Sequence, residues 1–209
     1  MKRKQIVALN SGGYDSVCLI HYLLETEYSG EEIVSVFFNY GQRNLEYERE
    51  CARKVAYENS IKHIEVELPK FHWTKSSVTN KNGKNQYIEM RNLIFLSYGT
   101  SIAQSFKADT VATGLIYGGN YVDSTEGFAE LLSEVTELAG VEIWTPFINC
   151  SKEQVGMLIT HNVFEEGNFY SCNTPNDLGE PCGTCGDCLN LKDVKNFMET
   201  YWFLGKYDL

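Results

Sequence analysis

The chain has 209 residues, 43% apolar and 22% charged, with a formal net charge of −10. That length carries one core of good size, or one core plus a small appendage. The acidic balance excludes a protein whose main affinity is for DNA or RNA phosphates, which need clustered Lys and Arg. No apolar run approaches the ~18 residues of a membrane span. The apolar stretch Ile6 to Leu9 that follows the basic start is too short for a signal peptide, so a cytoplasmic protein is expected.

In chain order, a strand is predicted at Gln5–Leu9. A helix follows at Asp15–Glu25, where Val17, Leu19, Ile20, Leu23 and Leu24 form a broad apolar face at helical spacing. A second strand at Ile33–Phe38 leads to a helix at Asn44–Glu58 that turns Leu45, Ala52, Val55 and Ala56 inward. After a third strand at His63–Leu68, the stretch Lys70 to Gln86 is polar and rich in Asn, Ser and Lys, a long loop of the kind that is functional or mobile. The helix predicted at Asn92–Phe106 is mostly apolar and expected to be well buried. A fourth strand at Thr110–Thr113 precedes a helix at Asp123–Ala139 that places Phe128, Leu131, Leu132, Val135 and Leu138 inward. Its "DSTE" start pairs Asp123 with Glu126 as a capping box. A fifth strand at Glu142–Thr145 and a helix start at "SKEQ", Ser151 to Gln154, complete the series. Strand–helix alternation implies an α/β fold, a doubly wound five-stranded parallel sheet with helices on both faces. Ligands in such sheets bind beyond the carboxyl ends of the strands at a topological switch. If the first and fourth strands are neighbours, the loops "NSGGYDS" and "TGLIYGGNY" border one crevice.

The first of those loops carries chemistry. Glycines after a strand and before a helix allow backbone N–H groups to converge on an anion, and the helix N-terminus adds partial positive charge. Ser11 and Ser16 add hydroxyl donors. The string is neither a Walker A loop nor the dinucleotide GxGxxG pattern. At the other end, nine residues separate Cys172 from Cys182, and two separate each pair among Cys182, Cys185 and Cys188. Four cysteines so spaced suit a closed structural Zn²⁺ site, and an iron–sulfur cluster is the rival. Cys18, Cys51 and Cys150 lie in apolar segments and read as small buried hydrophobes; an odd cysteine count argues against a disulfide framework. Of His21, His63, His72 and His161, only His72, in the polar loop, is a candidate catalytic group.

The SGGxDS string resembles the pyrophosphate loop of the N-type ATP pyrophosphatases. Together with the cysteines, "FFNYGQR", "MRNLIFLSYGTSIA", "TGLIYGGNYVDSTEGFAELL" and "WTPF", it makes the whole chain resemble the 7-cyano-7-deazaguanine synthase family. The resemblance implies a single domain over residues 1–209 with a zinc-binding C-terminal element at about 168–209. It also implies a ligase that converts 7-carboxy-7-deazaguanine and ammonia to the nitrile, using ATP and Mg²⁺ through adenylated intermediates, in queuosine or deazapurine biosynthesis. It assigns Asn10, Ser11, Gly12, Gly13, Tyr14, Asp15, Ser16 and Gly114 to the nucleotide, with Asp15 near Mg²⁺. Asp15, Ser16 and Arg91 take the catalytic roles. Tyr40, Gln42, Arg91, Asn92 and Asp123 take the substrate, Asp123 accepting from its guanine-like N–H edge. Where family members typically read VPGRN, this chain reads Ile88-Glu89-Met90-Arg91-Asn92. Where they read Tyr-Pro-Asp-Cys-Arg, it reads Tyr121-Val122-Asp123-Ser124-Thr125. Those departures keep two alternatives open: a ligase that passes the adenylated deazaguanine carboxylate to an amine on a protein or another small molecule, and a nucleotide-binding relative without turnover. A small-molecule substrate is expected, with no membrane and no direct nucleic-acid partner. A homodimer is expected only as the common state of soluble enzymes.

Overall fold

The computed structural model describes residues 5–26, 28–83, 85–116, 121–160, 163–164 and 167–205. Five strands form one sheet in the order β3-β2-β1-β4-β5, every neighbouring pair parallel. They are β1 (Ile6–Leu9), β2 (Ile33–Asn39), β3 (Lys62–Glu67), β4 (Thr110–Ala112) and β5 (Glu142–Trp144). Six α-helices accompany them among the described residues: α1 (Tyr14–Thr26), α2 (Leu45–Glu58), α3 (Arg91–Phe106), α4 (Glu126–Glu137), α5 (Lys152–Met157) and α6 (Gly186–Gly205). The chain runs outward from β1 through β2 to β3, then returns to the other side of β1 for β4 and β5. The order therefore reverses between β1 and β4, which pair from Ile6↔Thr110 to Ala8↔Ala112, and the two loops that leave them border one crevice. Residues 117–120 of the second loop, and His161, lie outside the described residues.

Alternation along β1 builds two cores, one per face of the sheet. Ile6 and Ala8 pack with Val17, Leu19, Ile20 and Leu23 of α1, Val55 and Ala56 of α2, Val155 of α5, and Val194 and Met198 of α6. Val7 faces the other way, toward Leu96 and Ala103 of α3, Leu132 of α4, and Val34, Val111 and Ile143. No described helix is long and apolar enough to cross a membrane.

Three expectations change. Helix α3 is not well buried: only Leu96, Gly99 and Ala103 are, because an outer-layer helix turns one face to the sheet whatever its composition. Helix α4 begins with Thr125 as N-cap, its Oγ1 accepting from Phe128 N at 3.3 Å, so the Asp123 capping box does not form. Its core face is Ala129, Leu132 and Thr136, whereas Leu131, Val135 and Leu138 are exposed. The polar stretch is a packed structure: Ser76 and Asn85 form a bridge, Thr74, Ser76, Ser77 and Val78 are buried, and Lys81 pairs with Asp177 at 2.7 Å.

Met90, just before α3, has φ +51°, a left-handed conformation that costs a side-chain-bearing residue about 1–2 kcal/mol. It stands where the resembled family typically has the glycine of VPGRN. Met90→Gly relieves that strain and returns about 0.5–1 kcal/mol of it as unfolded-state entropy. A net gain of about 0.5–1 kcal/mol is expected, read from the urea midpoint. A lower midpoint would mean that Met90 contributes packing that outweighs the strain.

Candidate active site

The crevice is a cavity of about 710 Å³ at the carboxyl ends of β1, β2 and β4, with α5 and α6 closing one side. At its floor the loop Asn10–Gly13 joins β1 to α1, whose first turn carries Tyr14, Asp15 and Ser16. Asn10 is buried and fully engaged: Nδ2 donates to Ser35 Oγ at 3.0 Å and Ala52 O at 3.3 Å, while Oδ1 accepts from Gly12 N at 3.0 Å. It is a brace for the loop more than a free ligand. Gly12 has φ +72°, and a Cβ there would sit 2.0 Å from the backbone oxygen of Glu48, so the position admits only glycine. Gly114 seals the β4 side, where a Cβ would lie 2.7 Å from Asp15 O.

The amide cradle is narrower than the glycines suggest. Gly12 N is held by Asn10, and Tyr14 N donates to Ser171 Oγ at 3.0 Å. Gly13 N keeps only a long, exposed bond of 3.3 Å to Ser11 Oγ. The Ser11 and Ser16 hydroxyls lie 3.1 Å apart at the same spot. Tyr14 is a pillar, its ring against Phe164 and Phe169 and its hydroxyl donating to Lys152 O at 3.2 Å.

The charge at this end comes from a residue that sequence reasoning took only as part of a helix start. Lys152 Nζ lies 3.3 Å from Asp15 Oδ2 and 3.9 Å from Asp187 Oδ1, with its side chain 14% exposed. Burial alone would depress its pKa, but Asp15 and Asp187 outweigh burial and hold it above the ordinary lysine value. Burial pushes the Asp15 carboxyl up, and Lys152 opposes that rise. Asp15 Oδ1 is buried without a hydrogen-bond partner, a vacant oxygen donor of the hard kind that Mg²⁺ takes.

The other end of the cavity is aromatic. Phe38, Tyr40 and Phe95 line it. Arg91 Nη1 donates to the Tyr40 hydroxyl at 3.2 Å, with the guanidinium 5.9 Å from the Tyr40 and Phe95 ring centres. Gln42 lines the cavity but clasps its own loop, donating to Phe38 O and accepting from Tyr40 N, both at 3.0 Å. Asn92 lines the cavity too; its Nδ2 donates to Asp123 O at 2.9 Å. Asp123 is not among the lining residues. It is 2% exposed and accepts from Asn92 N at 2.9 Å, capping α3 from outside and so orienting Arg91. Glu48 of α2 was missed as well: it is a buried carboxylate that lines the cavity. Its signal was its place on the inward face of α2, between Leu45 and Ala52. His72 is exposed and, like the other described histidines, does not line the cavity.

Cys172, Cys182, Cys185 and Cys188 converge, their sulfurs all within 4.8 Å of one another. Four thiolates about 2.3 Å from one ion lie about 3.8 Å apart, so the cage suits a single metal ion. Burial raises Cys182, yet the Thr174 hydroxyl and the Thr184 and Cys185 amides at its sulfur bring it down to about 5, a thiolate ready for metal. This element reaches the glycine-rich loop directly: Tyr170 N donates to Gly12 O at 2.9 Å, Asn44 Nδ2 donates to Cys172 O at 3.0 Å, and Asp187 lies between two of the cysteines.

The family model described as "Queuosine biosynthesis protein QueC" matches residues 5–197. A 7-cyano-7-deazaguanine synthase of Leptospira interrogans serogroup Icterohaemorrhagiae serovar copenhageni (strain Fiocruz L1-130) is 29% identical, over 93% of this chain and 86% of its own. One from Hahella chejuensis (strain KCTC 2396) is 31% identical, over 88% and 84%. Among solved structures, the U34-tRNA thiolase NcsA from Methanococcus maripaludis, with its [4Fe-4S] cluster, shares the fold at a TM-score of 0.53 and 13% identity, covering 96% of this chain and 68% of that one. With the family match spanning nearly the whole sequence, this chain belongs to the QueC family of queuosine biosynthesis proteins.

Proposed function

We propose that the chain converts 7-carboxy-7-deazaguanine and ammonia to 7-cyano-7-deazaguanine at the expense of ATP. One observation carries this reading: a single cavity joins an anion-binding loop armed with Lys152 and Asp15 to an aromatic end armed with Arg91, with Glu48 between them. A carboxylate is a poor electrophile. Its oxygen attacks the α-phosphorus of ATP, pyrophosphate leaves, and the acyl carbon gains a good leaving group in AMP. Ammonia displaces AMP to give the amide. A second ATP adenylates the amide oxygen with release of pyrophosphate, and loss of both N–H protons and of AMP leaves the nitrile.

The protein's part is positioning and charge stabilisation. Lys152, the Ser11 and Ser16 hydroxyls and the Gly13 amide face the phosphoryl chain, and the Lys152 ammonium offsets negative charge that builds on the α-phosphate. Arg91 offers a two-pronged donor to the substrate carboxylate. Asp15, through its unpartnered oxygen, would hold Mg²⁺, which neutralises pyrophosphate as it departs. The four cysteines would hold Zn²⁺ as a closed structural ion, with no open position for chemistry.

Incubating the protein with ATP, Mg²⁺, 7-carboxy-7-deazaguanine and ammonia, with mass-spectrometric identification of products, tests the reading. Nitrile with release of AMP and pyrophosphate is expected. AMP without nitrile would move the acceptor to another amine, and no pyrophosphate release with any candidate carboxylate would leave a nucleotide-binding protein without turnover.

A further inference from the structure

Among the described residues, five carboxylates line the cavity: Asp15, Glu48, Glu153, Asp187 and Asp193. Asp15 and Asp187 are occupied with Lys152. Glu153 accepts from Ser151 Oγ at 2.7 Å, and Asp193 is exposed on α6. Glu48 lies between the two ends: its backbone oxygen backs Gly12, its carboxylate is reached by Gln42 and Asn44, and the charges of both Arg91 and Asp187 act on it. Its residue is 9% exposed, in the first turn of α2. Asn44 Nδ2 holds Oε1 at 2.9 Å, and Gln42 Nε2 reaches Oε2 only at 3.4 Å, so Oε2 keeps most of its acceptor capacity. The side chains that steady it are themselves fixed: Gln42 clasps Phe38 and Tyr40, and Asn44 is tied to Cys172 O. Burying a carboxylate on a helix face is costly unless something repays it, and a long bond from Gln42 does not.

We infer that Glu48 is the specificity-determining residue for the heterocycle, accepting hydrogen bonds from the adjacent ring N–H and exocyclic amino group of a guanine-type edge. This rests on the deazaguanine reading above and replaces Asp123, which does not line the cavity and whose Oδ2 accepts from Asn92 N at the start of α3. The chemistry discriminates between the bases that enter the cavity. A guanine-type edge presents two neighbouring donors, which match the two acceptors of a carboxylate. Adenine presents a donor beside a ring-nitrogen acceptor, whose lone pair a carboxylate repels. Glu48 thus admits the deazaguanine to the aromatic end and turns the adenine of ATP away from it, while Arg91, attracted to Glu48, is left for the substrate carboxylate.

The protonation state adds a consequence. Burial raises the Glu48 carboxyl to about 7; Gln42, Arg91 and Asn44 oppose the rise, and Asp187 adds to it. The two-donor edge binds the ionised form, so its affinity falls as pH drops through about 7, and this dependence vanishes without the carboxylate.

The test is calorimetric binding of 7-carboxy-7-deazaguanine and of its counterpart lacking the 2-amino group, to the intact protein and to Glu48→Gln, with thermal melts as the control for folding. The intact protein is expected to prefer the 2-amino compound by about a hundredfold, and Glu48→Gln to lower that preference to about fivefold or less, because the amide presents a donor against a donor. The preference of the intact protein also weakens below neutral pH, and that of the variant does not. If Glu48→Gln weakens both ligands equally, Glu48 is only structural and the inference fails; if the intact protein does not discriminate, it fails too. Nitrile formation by the intact protein, measured separately, shows whether the substrate reading stands when the Glu48 reading does not. An intact protein that binds neither compound overturns both.

Discussion

Lys152→Ala lowers AMP and pyrophosphate formation by about a thousandfold, the loss expected when one preorganised donor to developing charge is removed. Lys152 is the cation at the loop end of the cavity, within 3.3 Å of Asp15 and 3.9 Å of Asp187. Without it, ATP meets Asp15 and Asp187 with no other described lysine or arginine paired to them, and the α-phosphate loses its partner as pyrophosphate leaves. The fold tolerates the change, because what anchors α5 is backbone: Tyr14 donates to the Lys152 carbonyl, and Ser151 caps the helix with Gln154 in a reciprocal pair. The melting temperature is therefore expected within a few degrees of the parent. Activity within tenfold of the parent would mean that the nucleotide is cleaved elsewhere. Asp15→Ala is expected to abolish AMP formation for the complementary reason, since it removes the unpartnered oxygen proposed to hold Mg²⁺.

The second large effect concerns the cysteines. Cys185→Ser is expected to lose the metal, lower the melting temperature by about 10 °C or more, and abolish AMP formation together with it. The coupling is structural. The segment that reaches the cage also supplies Ser171 to the Tyr14 amide, Tyr170 to the Gly12 carbonyl and Asp187 to Lys152. Releasing the ion frees four crowded thiols, with burial raising Cys172 and Cys188, and the wall formed by α6 loses its anchor. Metal analysis of the parent should find about one zinc per chain, in colourless protein. A brown protein containing iron would replace zinc with a cluster, and a variant with full metal content would remove the four-cysteine site.

Much of the architecture was legible because its causes are local. The apolar runs of β1 and β2, helices α1, α2 and α3 and the "SKEQ" cap read correctly to within a residue or two, whereas α4 starts three residues later than expected and the 20-residue α6 was not anticipated. Misreadings arose where a local pattern had two solutions. "DSTE" offers both Asp123 and Thr125 as caps; Thr125 took α4 because the α3 terminus, distant in sequence, claimed the Asp123 carboxylate. Leu131, Val135 and Leu138 fit a helical stripe as well as Ala129, Leu132 and Thr136 do, and periodicity does not say which stripe meets the sheet.

The residues of the crevice divide along the same line. The glycine-rich loop and the cysteine cluster declare themselves by spacing, since backbone turns and metal cages are made from neighbours in the chain. Lys152 and Glu48 carry no such mark. A lysine in a helix's first turn and a glutamate on an amphipathic helix are ordinary until the strand order 3-2-1-4-5 carries them to one cavity. Folding alone brings Lys152 to Asp15 and Asp187, three residues remote in sequence, and strips the water that would otherwise mute their charges. Periodicity and spacing thus suffice for the strand–helix alternation, an anion-binding loop and a cysteine metal site. Which side chains are charged, free and facing the substrate is settled by long-range packing, because desolvation and pairing are properties of a place in space.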